Sequence, residues 1–415
     1  MHFKKRIHPS NQITKSLNMT LKKENRFIIV GGGIGGLATA LGLAQHGIKS
    51  IVLEKSSKLG EIGAGIQLGP NAFHGFDYLG VGDQARQLSV YIDDLILMDA
   101  IKGDEITRIS LGERFRERFK NPYAVVHRGD LHGVFLKACV ENSFIELQTN
   151  ANVIGYKQKD EIVSANLDDG TLVNGLALIG AEGLWSKIRN QLVGDGPPKV
   201  SGHTTYRSVI PYAEMPEELR WNAATLWAGP KCHIVHYPLH GGNSFNLVVT
   251  YHNDAPEPVA GKLVSKEVVR KGFEHVNQTA RQIIERGKDW KLWVLCDRDP
   301  ITNWVDRRVS LLGDAAHPML QYLAQGACMA IEDAVCLSEQ FKNGLDNIEN
   351  SLINYQNIRN LRTARVQLHS REIGKHVYHP DGAHALLRNK IMKSKSQDEW
   401  YDNIEWLYGS SGLDS

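Results

Sequence analysis

Gly31, Gly33 and Gly36 are spaced Gly-x-Gly-x-x-Gly directly behind the apolar run Phe27-Ile28-Ile29-Val30. That spacing can hold a pyrophosphate. The first glycine permits a tight turn, the second lets phosphate approach the backbone, and the third lets the following helix press onto the strand. Free N–H groups at the helix start and the positive end of its dipole then face the anion. Glu54 closes the next apolar run, Ser50-Ile51-Val52-Leu53, where a carboxylate can accept hydrogen bonds from a ribose diol. Together these residues predict a bound dinucleotide. They leave open whether it is NAD or FAD.

Two further groups could do chemistry. In Leu311-Leu312-Gly313-Asp314-Ala315-Ala316-His317-Pro318, an aspartate at a strand end can accept from the ribityl hydroxyls of a flavin. A helix beginning near Gly326 can aim its positive end at the isoalloxazine. His233 and Tyr237 lie four apart in Cys232-His233-Ile234-Val235-His236-Tyr237-Pro238-Leu239, so on a strand both face one side and His236 the other. A neutral imidazole, with a reference pKa of ~6.5, can act as a base near neutral pH. His317 is expected to fix turn geometry rather than to act as the base.

These groups need elements to carry them. Ile34, Leu37, Ala38, Leu41 and Ala44 recur at helical spacing after the glycines, and Gly47 ends that helix. Strands are expected at 162–166, 176–181 and 309–312. Apolar and polar residues alternate around turns over 201–255, which predicts antiparallel sheet, and 346–415 is expected to be helical. The mixed charges of 113–120 predict a solvated face or a domain edge. Trp406 and Tyr408 are expected in packing or dimer contacts.

Composition narrows the class. The chain has 415 residues, 42% of them hydrophobic, with 48 basic against 46 acidic side chains, so no global field recommends a nucleic acid partner. No apolar run approaches the roughly 18 residues that cross a bilayer. Five scattered cysteines and seventeen histidines include neither a C-x-x-C nor a helical H-x-x-x-H with a nearby acid. No metal site and no disulfide framework are expected, and a reducing cytoplasm is the expected setting.

The Gly31–Gly36 loop, the segment Gly180-Ala181-Glu182-Gly183-x-x-Ser186-x-x-Arg189 and the pair Gly313-Asp314 resemble, in this order, the three motifs of the single-component flavoprotein aromatic hydroxylases. The resemblance spans 26–410. It implies a tightly bound, non-covalent FAD, with NADH and O2 as co-substrates; no second Gly-x-Gly-x-x-Gly is present for the nicotinamide. By this resemblance Asp314 contacts the ribityl chain, and Arg128 of Arg128-Gly129-Asp130-Leu131-His132 contacts the flavin. Glu182 stands where the family carries an aspartate that serves FAD and pyridine nucleotide. Ile34, Gly35, Lys55, Gln67, Gly313, Gly326 and Ala327 complete the implied cofactor wall.

The segments Gly63-Ala64-Gly65-Ile66-Gln67-Leu68-Gly69-Pro70, 232–239 and His317-Pro318-Met319-Leu320-Gln321-Tyr322-Leu323-Ala324 are most similar to family members that hydroxylate a small phenolic acid. The implied reaction converts 3-hydroxybenzoate to gentisate, with His233, Tyr237 and Gln321 lining the pocket and His233 and Gln321 near the phenol; His233 would then take the phenol proton, the Gln321 amide would donate to the oxyanion, and Tyr237 would orient the carboxylate. Decarboxylating hydroxylation of salicylate, 3-hydroxylation of 6-hydroxynicotinate, and non-catalytic sensing of an aromatic ligand are the alternatives. A homodimer is implied as well.

The expected fold is α/β: a Rossmann-like FAD-binding domain of three ββα layers, interleaved with an antiparallel-sheet substrate domain and a C-terminal helical segment. A flexible basic tail is expected over 1–24, FAD-domain stretches over 25–93, 121–200 and 296–345, substrate-domain stretches over 94–120 and 201–295, and the helical region over 346–415.

Overall fold

The structure is a computed structural model that describes residues 25–60 and 64–409; the tail expected over 1–24 lies outside the described residues. The strand Phe27–Val30 is buried on both faces because it is central in a parallel sheet, which explains its unbroken apolar run. It pairs in parallel with Ser50–Leu53 on one side and Ala177–Gly180 on the other. Helix Ile34–Gln45 makes the crossover. It stops at Gly47, whose φ of +70° suits glycine and whose N–H returns to Ala44. Val309–Leu311, Val305–Asp306 and Ile145–Gln148 complete six strands. Helices Ile34–Gln45, Arg128–Val140 and Gly326–Glu339 pack together over this sheet, and a three-stranded antiparallel sheet of 153–175 shares its core.

The second sheet has eight strands. Lys199–Pro211, Ser244–His252, Cys232–Leu239 and Ala223–Gly229 run antiparallel, as the alternation over 201–255 predicts. Asp94–Asp99 and Glu105–Ser110 return from earlier in the chain to extend it, the first pairing in parallel with Ala223–Gly229. One face packs Tyr206, Ile210, Ile234, Leu247 and Val249 against helices Lys266–Lys271 and Gln278–Arg286. Register arranges the opposite face in rows: His203 beside His252, then Thr205–Thr250–His233, then Arg207–Val248–Val235, then Asn246 beside Tyr237. Those rows carry the polar side chains.

The C-terminal region is helical: Ile348–Ile373, Gly382–Lys393 and Gln397–Tyr408, with a widened turn at Gly374–Tyr378. The last helix starts on a capping box of Ser396 and Glu399. Over 113–120 the charged side chains are exposed, with Arg118 half-buried, which is the solvated face that the sequence predicts. Glu113–Phe119 is a helix whose Phe115 and Phe119 are buried against Tyr401 and Tyr408. Its Arg114 pairs with Asp398, and Arg118 with Asp402 and Glu405 at 2.7 Å each. These pairs lie at the surface, so the charged side of the helix is solvated while its phenylalanines face the final helix. Tyr408 packs within this aromatic cluster, and Trp406 packs on Arg365 and His369. Among the described residues no helix is long and apolar enough to cross a membrane.

Candidate active site

A cleft of about 660 Å³ opens between the two sheets. Its first half is built from the glycine loop. Gly31 has φ +106°, and a Cβ there would sit 2.5 Å from the Ala181 carbonyl oxygen, so both turn and neighbour demand glycine. Gly33, Ile34 and Gly35 line the cleft. Gly36 does not: a Cβ on it would lie 2.0 Å from the Gly31 carbonyl oxygen, so its part is helix-to-strand packing rather than contact with a ligand. Gly33 caps helix Ile34–Gln45 without a side chain, and Gln325 caps helix Gly326–Glu339 without a side-chain hydrogen bond. Neither first turn carries an acid. Two positive helix ends therefore open on one cleft, as an anionic dinucleotide and a reducible ring require.

Around them stand Glu54, Lys55, Gln67, Arg128, Glu182, Gly313, Asp314, Gly326 and Ala327, all on the cleft wall. Burial alone would raise the Glu54 carboxyl, but N–H groups of Gly32 (2.8 Å) and Ser56 (2.9 Å) hold it below the usual range. Asp314 projects into the open cleft, and the protein surrounding it raises its pKa against the pull of His317 and Arg128. Glu182 accepts from the Ile188 N–H at 2.8 Å with one oxygen, while its buried Oε2 has no partner. Burial raises this carboxyl too. Gln67 accepts from the Tyr123 hydroxyl at 2.7 Å. The glycine cradle, the paired helix ends and a ring of acceptors fit a flavin dinucleotide. Glu54→Ala is expected to weaken FAD retention ~10–100-fold, the loss of one or two hydrogen bonds to a charged group. Equilibrium titration of the apoprotein checks this, and unchanged affinity would remove Glu54 from the ribose.

Buried polar networks lock the motifs to one another. Arg189 is fully buried and donates to the carbonyls of Ala315 (3.0 Å) and Ala316 (2.6 Å), tying the middle motif to the turn after Asp314. His317 binds Asp333 through Nε2, and Asp333 also accepts from the Gly313 N–H at 3.0 Å. His317 thus holds the turn, as the sequence predicts. Arg359 bridges Asp333 (2.7 Å) and Glu332 (2.6 Å).

The second half of the cleft is the polar face of the eight-stranded sheet. His233 and Tyr237 both line it, while His236 points away and accepts from the Trp227 indole at 3.2 Å. Gly65 packs against this face: a Cβ on it would meet Tyr237 at 2.6 Å, and its N–H donates to Asn246 at 2.9 Å. His233 Nδ1 lies 2.8 Å from His379 Nε2, leaving Nε2 for the cavity. Burial and the neighbouring imidazoles push the His233 pKa well below the ordinary histidine value, so its resting form is neutral.

Gln321 also lines the cleft, but its amide hydrogens are committed. They go to Thr205 (3.2 Å) and Thr250 (3.0 Å), and its oxygen accepts from Arg207 at 3.1 Å. Arginine is donor-only, so it takes the carbonyl end and turns the NH2 toward the threonines. The expectation that this amide is a ready oxyanion donor is thereby corrected. Arg207 itself was missed. It sits on the cleft wall, half-buried and stacked on Trp293, with burial lowering its pKa. The available signal was its phase: it alternates with Tyr206 and shares a side with Thr205. His379 and Tyr378, which face His233 from the widened turn, gave no local signal. Elsewhere, His127, Asp130 and His240 bring three possible metal-ligand atoms within 4.8 Å; Asp130 is in reach of both imidazoles, at 3.3 and 3.5 Å.

A parallel sheet ending in a glycine cradle, joined at one cleft to an antiparallel sheet with an imidazole and a guanidinium, defines a flavin-dependent oxidoreductase architecture. The family model described as FAD binding domain matches residues 24–368, and the chain belongs to that family of FAD-dependent aromatic hydroxylases. It is 52% identical over 390 residues to 3-hydroxybenzoate 6-hydroxylase 1 of Aquipseudomonas alcaligenes, covering 94% of this chain and 99% of that protein. It is 47% identical to 3-hydroxybenzoate 6-hydroxylase of Polaromonas naphthalenivorans, covering 92% and 95%. In fold it matches Klebsiella pneumoniae HpxO complexed with FAD and uric acid (TM-score 0.80, 24% identity, 91% and 95% covered) and a salicylate hydroxylase substrate complex (TM-score 0.78, 22% identity, 93% and 95% covered).

Proposed function

We propose that this chain hydroxylates 3-hydroxybenzoate to gentisate, with FAD as bound cofactor and NADH and O2 as co-substrates. The observation that carries this reading is the single cleft that joins the glycine cradle, Asp314 and the helix end at Gly326 to His233, Tyr237 and Arg207. The identity to 3-hydroxybenzoate 6-hydroxylases over nearly the whole chain supports the substrate.

When bound, the flavin supplies an electrophilic oxygen, which an arene attacks faster as phenolate than as phenol. The protein's task is to make and hold that phenolate. His233 takes the phenol proton at Nε2. Arg207, a cation on the cavity wall, attracts the carboxylate, and the Tyr237 hydroxyl orients the ring by hydrogen bonding. Gln321 acts behind them by holding the Arg207 guanidinium. Apolar Val235, Val248, Met319 and Leu320 complete the wall and keep water from the oxidant.

Oxygen uptake by the yellow holoprotein with 3-hydroxybenzoate and NADH tests the proposal. Gentisate without CO2 is the expected product; decarboxylation would point to a salicylate-type reaction, and tight binding without turnover to a sensor. Arg207→Met is expected to raise the substrate KM ~10–100-fold through loss of a charged hydrogen bond. The carboxyl-free analogue phenol should be insensitive to that change, and equal losses for both would reassign Arg207.

A further inference from the structure

We propose that His379, His203 and His252 form a proton conduit that connects His233 to bulk solvent. The inference rests on the reading of His233 as the base for the phenol. Four imidazoles converge here from separate parts of the chain: His233 and His252 from adjacent strands, His203 from the next strand, and His379 from the end of the widened turn. His233 Nδ1 and His379 Nε2 are 2.8 Å apart, with the rings stacked at 5.0 Å and 26°. The His379 ring lies 5.2 Å from that of His203, edge on. His203 and His252 are cross-strand partners with rings 4.3 Å apart. His252 Nε2 is 3.3 Å from the Asp254 carboxylate, and these two side chains are 35% and 86% exposed. The series runs from a residue 1% exposed to open water.

A closed pocket that ionises a phenol has a disposal problem, because the proton must leave without admitting water to the oxidant. An imidazole solves it, since it accepts at one nitrogen while donating from the other. The phenol O–H bond breaks as N–H forms at His233 Nε2. The N–H at His233 Nδ1 then breaks as one forms at His379 Nε2. His379 passes a proton toward His203, and one proton departs to water at the His252–Asp254 end. Nothing is oxidised or reduced. Ring contact rather than a hydrogen bond separates His379, His203 and His252, so rotation of a ring or one bridging water completes each later hop.

The surroundings suit transit rather than storage. Tyr322 contacts His203 Nδ1 through its hydroxyl and packs on His233 and His379, and Tyr378 packs on His233. Asp254 is the acid facing the outer end, and Arg207 shares the cavity with the inner one. Burial holds His379 down to about 3 and His203 to about 4, so no cation rests inside at neutral pH.

The test uses FAD-loaded enzyme in single turnover with 3-hydroxybenzoate, comparing wild type, His379→Gly and His252→Asn. For His379→Gly the expected result is unchanged FAD content and substrate affinity, with hydroxylation slowed on the order of 10²-fold, the low end for loss of a proton-transfer group. Added imidazole should restore the rate, with methylimidazoles following their basicity. His252→Asn, at the surface end, should slow the reaction less and make it sensitive to buffer concentration. Wild-type rates in both variants, or a deficit that imidazole leaves untouched, would overturn the conduit. A wild-type enzyme that makes no gentisate would instead overturn the underlying reading, so the two failures are distinct.

Discussion

Replacing His233 by alanine is expected to slow hydroxylation by about 10²–10⁴, the range for a positioned base, while FAD binding and NADH oxidation persist. The uncoupled electrons should appear as H2O2 in place of gentisate, so the ratio of peroxide to product is the measurement. The reason is local. The strand Cys232–Leu239 is flanked on both sides in the sheet, so truncating one inward side chain leaves its backbone ladder intact, and the flavin half of the cleft is built elsewhere. Wild-type coupling in the variant would reassign the base.

The same residue sets a pH expectation. His233 has a folded pKa far below the ordinary value because of burial and the nearby His379 and His203. It therefore stays neutral as pH falls through the usual histidine range, and the acid limb of the hydroxylation profile should lie below ~6.5. Stability moves otherwise. His203 and His379 are depressed to about 4 and about 3, so below ~6.5 the unfolded chain binds protons that the folded chain refuses. Their contribution is intact above that pH and erodes as pH falls toward the folded values.

The second large effect is on stability. Arg359→Leu is expected to cost about 3–5 kcal/mol, because removing one partner strands buried charge. Arg359, Glu332 and Asp333 are at most 1% exposed. Glu332 would keep Arg362 at 2.7 Å and Asn71 at 2.6 Å, and Asp333 would keep His317, but the shared cation would be gone. Burial opposes ionisation of Asp333, yet His317 and Arg359 hold its pKa down to about 2. Its pairing thus contributes fully above the unfolded value of ~3.9 and is lost as pH falls through about 2. The variant's deficit should accordingly shrink in acid. Urea denaturation of the apoprotein at several pH values measures it, and a wild-type midpoint at neutral pH would contradict the account. Arg359→Lys should recover only part, since an ammonium lacks the planar fork that spans both carboxylates.

What could be foreseen follows from the range of each signal. The glycine loop, its flanking strands and Glu54 are local in sequence, so spacing alone exposed the cofactor cradle. Period two put His233 and Tyr237 on one face and His236 on the other without any knowledge of the neighbours. Contacts between distant segments were invisible. His379 lies 146 positions from His233, and nothing around it marks it as a partner. The orientation of Gln321 is set by Arg207, 114 positions away. The charges of Glu113–Phe119 mark its solvated face, and its two phenylalanines, four apart, form the buried stripe opposite.

The rows on the eight-stranded sheet have a consequence for how such catalysts diversify. On the proposed reading, the glycine cradle and the inward side chains Val235, Tyr237 and Val248 stand on separate sheets, so exchanges at those three positions are expected to change which aromatic fits while leaving the cradle intact. Gly65 is the exception, because its missing methyl is what lets the two halves touch. A side chain at Gly65 would have to displace both Tyr237 and Asn246, so that one hydrogen atom fixes how closely the two halves of the cleft approach.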